Sequence, residues 1–577
     1  MARRSRLPEA PEVGEVPDRA LPRWGLSRRS LARHALLAGL AGAVGASSVG
    51  GCGPAAPRAG PAAPSGGQTS PAAAGACSAG QLGGTLVMGR GSDSEGFDPP
   101  GEASGESIKV LDNLYNGLVR ASPGGDVAPD LASSWTVSPD GLTYTFTLRR
   151  DVKFHDGADF DAEAVKFSFE RPFDKEDPAY FAGMAQATSF TFASMKSVEV
   201  ADPYTVRIAL KEPNVAFLNN LATGVAYVVS PAAVKKLGKD FRQNPVGTGP
   251  FKFVRWVRNQ EIELVRNPDY FLKGCPHVEK VIFRVIPDNT VRLQELKTGA
   301  IQVADSLAPT DVQAIKADRA LKLFEQPAPI VALMNFRLQK DPWKDLRVRQ
   351  AVAHAIDKPA LVKGLYGETA VPAYGPLLPG LVGFDPQFRS YPFDVAKAKQ
   401  LLTAAGFPNG FETTLWIQSR PRNFNPVGVR LAEALQAALA AVNIRARVVA
   451  QEPATFNQAI SDPNNNEVDL YVTGWWSDNG AQNYFINSYY LGGSPFNRNG
   501  YQNAQVDTLL RQADQTLDAK KRTDLYQEAQ RVIVDDAPAV FLSYTLAMQG
   551  ATAAVQGFRP PSFGAVYRFD DTWLQRR

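Results

Sequence analysis

From Gly53 to Gly80 the chain reads GPAAPRAGPAAPSGGQTSPAAAGACSAG, with Arg58 as its only charge. A stretch so poor in large apolar side chains cannot bury enough surface to offset the entropy of ordering, so no core forms in it. It predicts a flexible tether over 52–81, and it divides the chain into a leader, 1–51, and a body of about 500 residues. A body of that length is more than one hydrophobic core organises, so two or three domains are expected. The composition, 44% hydrophobic and 10% aromatic, is that of an ordinary globular protein, which places those cores beyond the tether.

The leader has the layout of an export signal. Ser27-Arg28-Arg29, followed by Leu31 and Arg33, resembles a twin-arginine signal, and Val49-Gly50-Gly51-Cys52 resembles a lipobox. The weakly apolar run between them, Ala35 to Val49, is shorter than the roughly 20 apolar residues of a bilayer span. The leader is therefore expected to be a twin-arginine-type lipoprotein signal. Cys52 would be lipidated and would hold the exported protein in the periplasm or on the outer face of the cytoplasmic membrane. Setting aside the eight arginines and four acidic residues of 1–51 turns the 62 basic and 58 acidic residues of the whole chain into 54 of each. The basicity belongs to the leader, and no Lys/Arg run remains in the body, which argues against a nucleic-acid partner.

The body mixes strands and helices throughout. GLTYTFTLRR (141–150) alternates with Tyr144, Phe146 and Leu148 on one side, the pattern of a half-buried strand. SVEVADPYTVRIAL (197–210) reads as a hairpin turning at Asp202-Pro203. DAEAVKFSFE (161–170) reads as a helix capped by Asp161. VGVRLAEALQAALAAVNI (427–444) reads as one long helix leading into the strand RARVVA. Asn244-Pro245 followed by GTGP is a punctuation cluster suited to a crossover, and no 20- to 50-residue period repeats.

The residues offer little catalytic chemistry. His34, His155, His277 and His354 are scattered without the spacing of metal ligands, and HExxH, CxxC, GxSxG and Walker-type loops are absent. The GTG of 247–249 reads as a turn, and His155 in KFHDG as satisfying the local turn at Asp156-Gly157. No enzyme, metal or cofactor is expected.

GGTLVMGRGSDSEGFDP (83–99), LYNGLVR (114–120), PDLASSWTVSPDGLTYTFTLRRDVKFHDG (129–157), VGTGPFKF (246–253), RNPDYF (266–271), DLRVRQAVAHAIDK (345–358) and GPLLPG (375–380) follow one another in an order that resembles the solute-binding proteins of peptide-type ABC importers, the dipeptide- and oligopeptide-binding family 5. The resemblance spans nearly all of 83–577. It implies an α/β, periplasmic-binding-protein-like fold of type II (cluster C), with two lobes and an extra inserted domain. Domain I would take 82–128, 246–330 and 545–577, domain II 129–245, and domain III 331–544. It also implies a monomeric receptor that closes on a ligand and delivers it to the membrane subunits of an ABC permease.

The same resemblance nominates ligand residues. GWWSDNGAQNYF (474–485) is similar to the stretch where peptide binders hold the ligand's amino group, which selects Asp478 and its neighbour Asn479; Trp475 and Trp476 alternate beside them. SRPRNFNP (419–426) is similar to the stretch that supplies an arginine for the terminal carboxylate, which selects Arg422, with Arg420 second. Chain near Gly96-Phe97 on the opposite lobe would pair with the peptide backbone. Ala481-Gln482 stands where dipeptide binders have Asp-Pro after Asp-Asn-Gly, so the cargo stays open: a short peptide leads, with an oligosaccharide, opine, haem or metal chelate as alternatives on the same fold. An exported hydrolase is the remaining class. Once Cys52 carries lipid, Cys77 and Cys275 are left in an oxidising compartment, both on domain I, and are the pair available for a disulfide.

Overall fold

A computed structural model describes residues 77–576, apart from 103, 122–126, 182, 306, 478 and 561–566. The leader, Cys52 and Asp478 therefore lie outside the described residues.

The segment read as the end of the tether is already tied down. Cys77 is bonded to Cys275, with Cα atoms 5.8 Å apart, and Ser78 donates from its backbone N and from Oγ to Asp571 Oδ1 at 2.8 and 2.5 Å. The ordered body thus begins before residue 82, held by partners that lie about 200 and 490 positions away in the chain.

Eleven strands among the described residues form one continuous sheet, and its layout divides the body. On one side Thr85–Arg90 runs parallel to Lys280–Val285 and to Val303–Ala304, and Glu261–Arg266 and Phe251–Val257 extend the sheet antiparallel. On the other side Glu412–Gln418 runs parallel to both Arg445–Gln451 and Leu470–Trp476. Parallel pairs are joined by helical crossovers, and these put helices over the sheet and close apolar cores against it. Leu86, Phe283, Leu264 and Val234 belong to the core of the first lobe. Leu415, Val472, Leu431 and Val352 belong to that of the second.

Two long antiparallel strands, Leu321–Phe336 and Ala539–Thr552, join the lobes. Leu321–Pro327 pairs with Leu546–Thr552 in the first lobe, and Val331–Asn335 pairs with Ala539–Tyr544 in the second. The register slips between Pro327 and Val331, within QPAPIV. Proline supplies no ladder donor, so the ladder breaks where Pro327 and Pro329 stand and the strand can bend there.

A separate four-stranded antiparallel sheet, in the order Ala132–Val137, Thr143–Leu148, Thr205–Leu210, Met195–Asp202, carries its own core with Phe146, Phe169 and Ile208. The inward side chains of the second strand are Tyr144, Phe146 and Leu148, as the alternation requires. The hairpin turns where Asp202 Oδ1 accepts the Tyr204 N–H at 2.9 Å, and Asp161 caps the helix Ala162–Glu170 by accepting from Ala164 N. The Ala/Leu helix is shorter than its pattern, Arg430–Ala440, because Gly428 and Asn443 adopt left-handed backbone (φ 60° and 66°) and break both ends.

His155 does not serve its own turn. Its Nδ1 accepts the Gly247 N–H at 3.3 Å, and its Nε2 lies 3.0 Å from Gly249 O, so it clips the GTG loop instead. That loop needs its glycines for close approach: a Cβ at Gly247 would stand 2.2 Å from Leu114 O, and one at Gly249 would stand 2.4 Å from Leu114 C.

Candidate functional site

The strand Leu470–Trp476 pairs with the inter-lobe strand so that Trp475 faces Val331 and Trp476 faces Ile330. The two tryptophans therefore sit where the register slips. Both are partly buried, with ring centroids 6.5 Å apart. Trp475 leans on Phe496 and Tyr489, whereas Trp476 packs on the core of Leu415 and Phe424. The Trp475 Nε1 donor is buried and has no partner among the described residues.

The loop carrying the two arginines is locked to this strand. A Cβ at Gly474 would lie 2.1 Å from the Phe424 ring, so GWW and RNFNP interlock only because residue 474 has no side chain. Arg422 and Asn425 exchange backbone hydrogen bonds of 3.0 and 2.8 Å, Asn425 Nδ2 donates to Gly428 O, and Thr545 Oγ1 donates to Asn423 O. The loop thus has fixed footing on the inter-lobe strand.

The structure separates the two arginines. Arg420 is exposed and pairs with Glu452 at 2.9 Å. Arg422 is partly buried, and its guanidinium has no hydrogen-bond or ion-pair partner among the described residues. Burial pulls it below the ordinary arginine range, and the carboxylates of Glu106 and Glu95, on the opposite lobe, counter that pull.

Those carboxylates stand on a charged floor. Arg90, fully buried at the end of Thr85–Arg90, donates to Asp93 at 3.0 Å and to Glu106 O at 2.7 Å. Lys109 meets Glu106 at 2.8 Å and pairs with Asp305. Desolvation lowers the Lys109 pKa, but the neighbouring carboxylates of Asp305 and Glu106 outweigh it and raise it overall. The helix Gly105–Leu114 positions both groups, with Glu106 in its first turn, where an anion meets the positive end of the helix dipole.

Two expectations change here. Phe97 is fully buried, its N–H donates to Arg242 O, and its C=O accepts from Tyr115 Oη; the Gly96 N–H is taken by Ser107 Oγ. These backbone groups serve the core and are not free to pair with a peptide. Asn479 is also fully occupied: Oδ1 accepts from Ser477 Oγ and Ala481 N, Nδ2 donates to Asn220 Oδ1 at 2.7 Å, and its C=O accepts from Asn219 Nδ2. Its role is contact between the four-stranded domain and the second lobe. Val215 N to Asp514 O, Gln515 Nε2 to Glu212 and the edge contact of Phe190 with Tyr484 extend the same seam. Glu95, Glu106 and Asn220 were invisible to sequence reasoning, since isolated polar residues carry no pattern.

Two lobes hinged on two strands, with a partnerless cation on one and carboxylates on the other, define a clamshell ligand-binding protein. The model of the bacterial extracellular solute-binding proteins, family 5, matches residues 126–497, and the chain belongs to that family. Di/tripeptide-binding protein 1 of Pseudomonas aeruginosa is 33% identical over 490 residues, covering 81% of this chain and 90% of that protein. Heme-binding protein A of Haemophilus influenzae is 33% identical over 491 residues, covering 81% and 88%. The ABC transporter-associated periplasmic binding protein DppA from Helicobacter pylori, solved with the peptide STSA, has a TM-score of 0.79 at 30% identity, covering 86% of this chain and 99% of that one. The fold is accordingly the type II, two-lobed α/β arrangement with an extra domain. No helix of the described residues is long and apolar enough to cross a membrane.

Proposed function

We propose that this chain is the lipid-anchored, monomeric receptor of an ABC importer, capturing a short peptide by lobe closure and presenting it to the permease without chemical turnover. The observation that carries the reading is Arg422, a partly buried guanidinium without a partner among the described residues, on the lobe across from Glu106 and Glu95, whose charges it feels. A charge taken partly out of water without a partner carries a cost. A peptide's terminal carboxylate would meet Arg422 in a bidentate pair that lysine cannot reproduce. The ammonium would be held by Asp478, with the acidic floor at Glu95 and Glu106 favouring a net cationic end. The proposed division into domain I (82–128, 246–330, 545–577), domain II (129–245) and domain III (331–544) puts these groups on facing lobes. The peptide-bound and di/tripeptide-binding relatives support the cargo class.

Calorimetry tests it. Arg422→Ala should cost roughly 2 to 5 kcal/mol of dipeptide affinity, and Arg422→Lys should not restore it. Amidating the peptide's C-terminus should cost a similar amount in the wild type and little more in Arg422→Ala. The relative that binds heme fixes the opposing outcome: tight haem binding unaffected by Arg422→Ala, with no peptide bound, rejects the peptide reading.

A further inference from the structure

At the corner where the described chain begins, three segments meet. Cys77, His277 and Asp571 bring their ligand atoms within 4.8 Å of one another, and Cys275 is joined to Cys77. His277 is 4% exposed, and neither of its ring nitrogens has a hydrogen-bond partner among the described residues; the nearest charged group is Asp571 Oδ1, 3.7 Å from Nε2. A buried imidazole normally satisfies at least one nitrogen. Here the ring is held in place by packing, since a Cβ at Gly80 would touch it at 2.8 Å, and by its own C=O, which accepts from Gly83 N. Asp571 is oriented by Ser78 and by Arg559, 3.3 Å from Oδ2.

We propose that this corner is a redox-gated site for a thiophilic divalent cation of the zinc class. In the oxidised chain the two sulfurs are bonded to each other and are poor ligands. An exogenous dithiol opens the site. Its thiolate attacks Cys77 Sγ, the more exposed sulfur; the Cys77–Cys275 bond breaks, a mixed disulfide forms and Cys275 leaves as a thiolate. The second thiol of the reagent then displaces Cys77 and carries the new disulfide away. Two electrons pass to the pair, and the resulting thiols release their protons to solvent as the cation binds. The donor set becomes two thiolates, the His277 imidazole and the Asp571 carboxylate, a set that favours Zn²⁺ over hard cations. The cation would then replace the disulfide in fastening the start of the body to the segment around Cys275 and His277, and would add the C-terminal segment through Asp571.

Cobalt(II) is the probe, added to the full chain after reduction with a non-chelating phosphine. One equivalent should bind with thiolate-to-cobalt charge-transfer absorption that Zn²⁺ abolishes, and the unreduced chain should show none. His277→Gln and Asp571→Asn should each weaken Co²⁺ binding roughly tenfold or more, while Cys52→Ser leaves it unchanged. Should His277→Gln fail to fold, Asp571→Asn, at a partly exposed position, decides alone. The proposal is overturned if no charge-transfer band forms at one equivalent, if the band survives both substitutions unweakened, or if it depends on Cys52.

Discussion

His155 binds the GTG loop through both ring nitrogens, accepting at Nδ1 from Gly247 N and reaching Gly249 O with Nε2, so the neutral ring protonated at Nε2 is the form the fold uses. Burial pushes its pKa down to about 4 from 6.5, opposed by the bond to Gly249 O. Between those values the unfolded chain binds more protons than the folded one, so stability is full above about pH 6.5 and falls as the pH drops toward 4. We expect a loss on the order of 2 kcal/mol over that window, discounted for the residue's partial exposure, and a shallower decline in His155→Gln, read from urea unfolding at a series of pH values. Lys358 follows the same sign higher up. It is 3% exposed, and burial pushes its pKa down to about 7; the Tyr374 ring, 5.0 Å from Nζ, is the attraction on its cation. The stability of wild type relative to Lys358→Met should rise by about 1.4 kcal/mol per pH unit between pH 7 and 10. A flat difference across that range would mean that the ammonium stays charged in the fold. The Asp161 cap was legible in the sequence because capping is a local act. The partners of His155 were not, because they lie more than 90 positions away.

Elements are where local pattern and tertiary demand part company. The strand Thr143–Leu148 keeps its alternation because only one face is buried, so the period of two records the core directly. The helix read over 427–444 loses both ends, since Gly428 and Asn443 answer to the Arg422 loop and to the following strand, not to helix propensity. Gly474 carries no periodic signal at all; its need comes from Phe424 on another element. The seam between the four-stranded domain and the second lobe is likewise a meeting of element ends, centred on Asn219, Asn220 and Asn479. Asn220→Ala removes the partner of a buried amide. It should weaken ligand retention by about 1 to 2 kcal/mol, seen as faster dissociation in stopped-flow measurements. A dissociation rate equal to wild type would mean that the seam does not hold the lobes on the ligand.

At the scale of the whole molecule, two strands carry the sheet continuity between lobes among the described residues, and the break at Pro327–Val331 lies beside Trp475 and Trp476. If Cys52 carries lipid, exported protein should partition into detergent and lack Met1 to Gly51, and Cys52→Ser should abolish both; mass spectrometry finding an intact N-terminus on exported material would refute anchoring. By itself the sequence determined the strand and hairpin of the four-stranded sheet and, through the ordered blocks from GGTLVMGRG to GPLLPG, the family and its two-lobed fold. Those are properties of short period and contiguous motif, which the chain writes locally. Only the tertiary structure decided that Arg422 and not Arg420 is the desolvated cation, that Phe97 and Asn479 spend their polar groups on protein partners, and that Glu95 and Glu106 oppose Arg422. Desolvation and pairing depend on which residues distant in sequence share a space, and no local pattern records that.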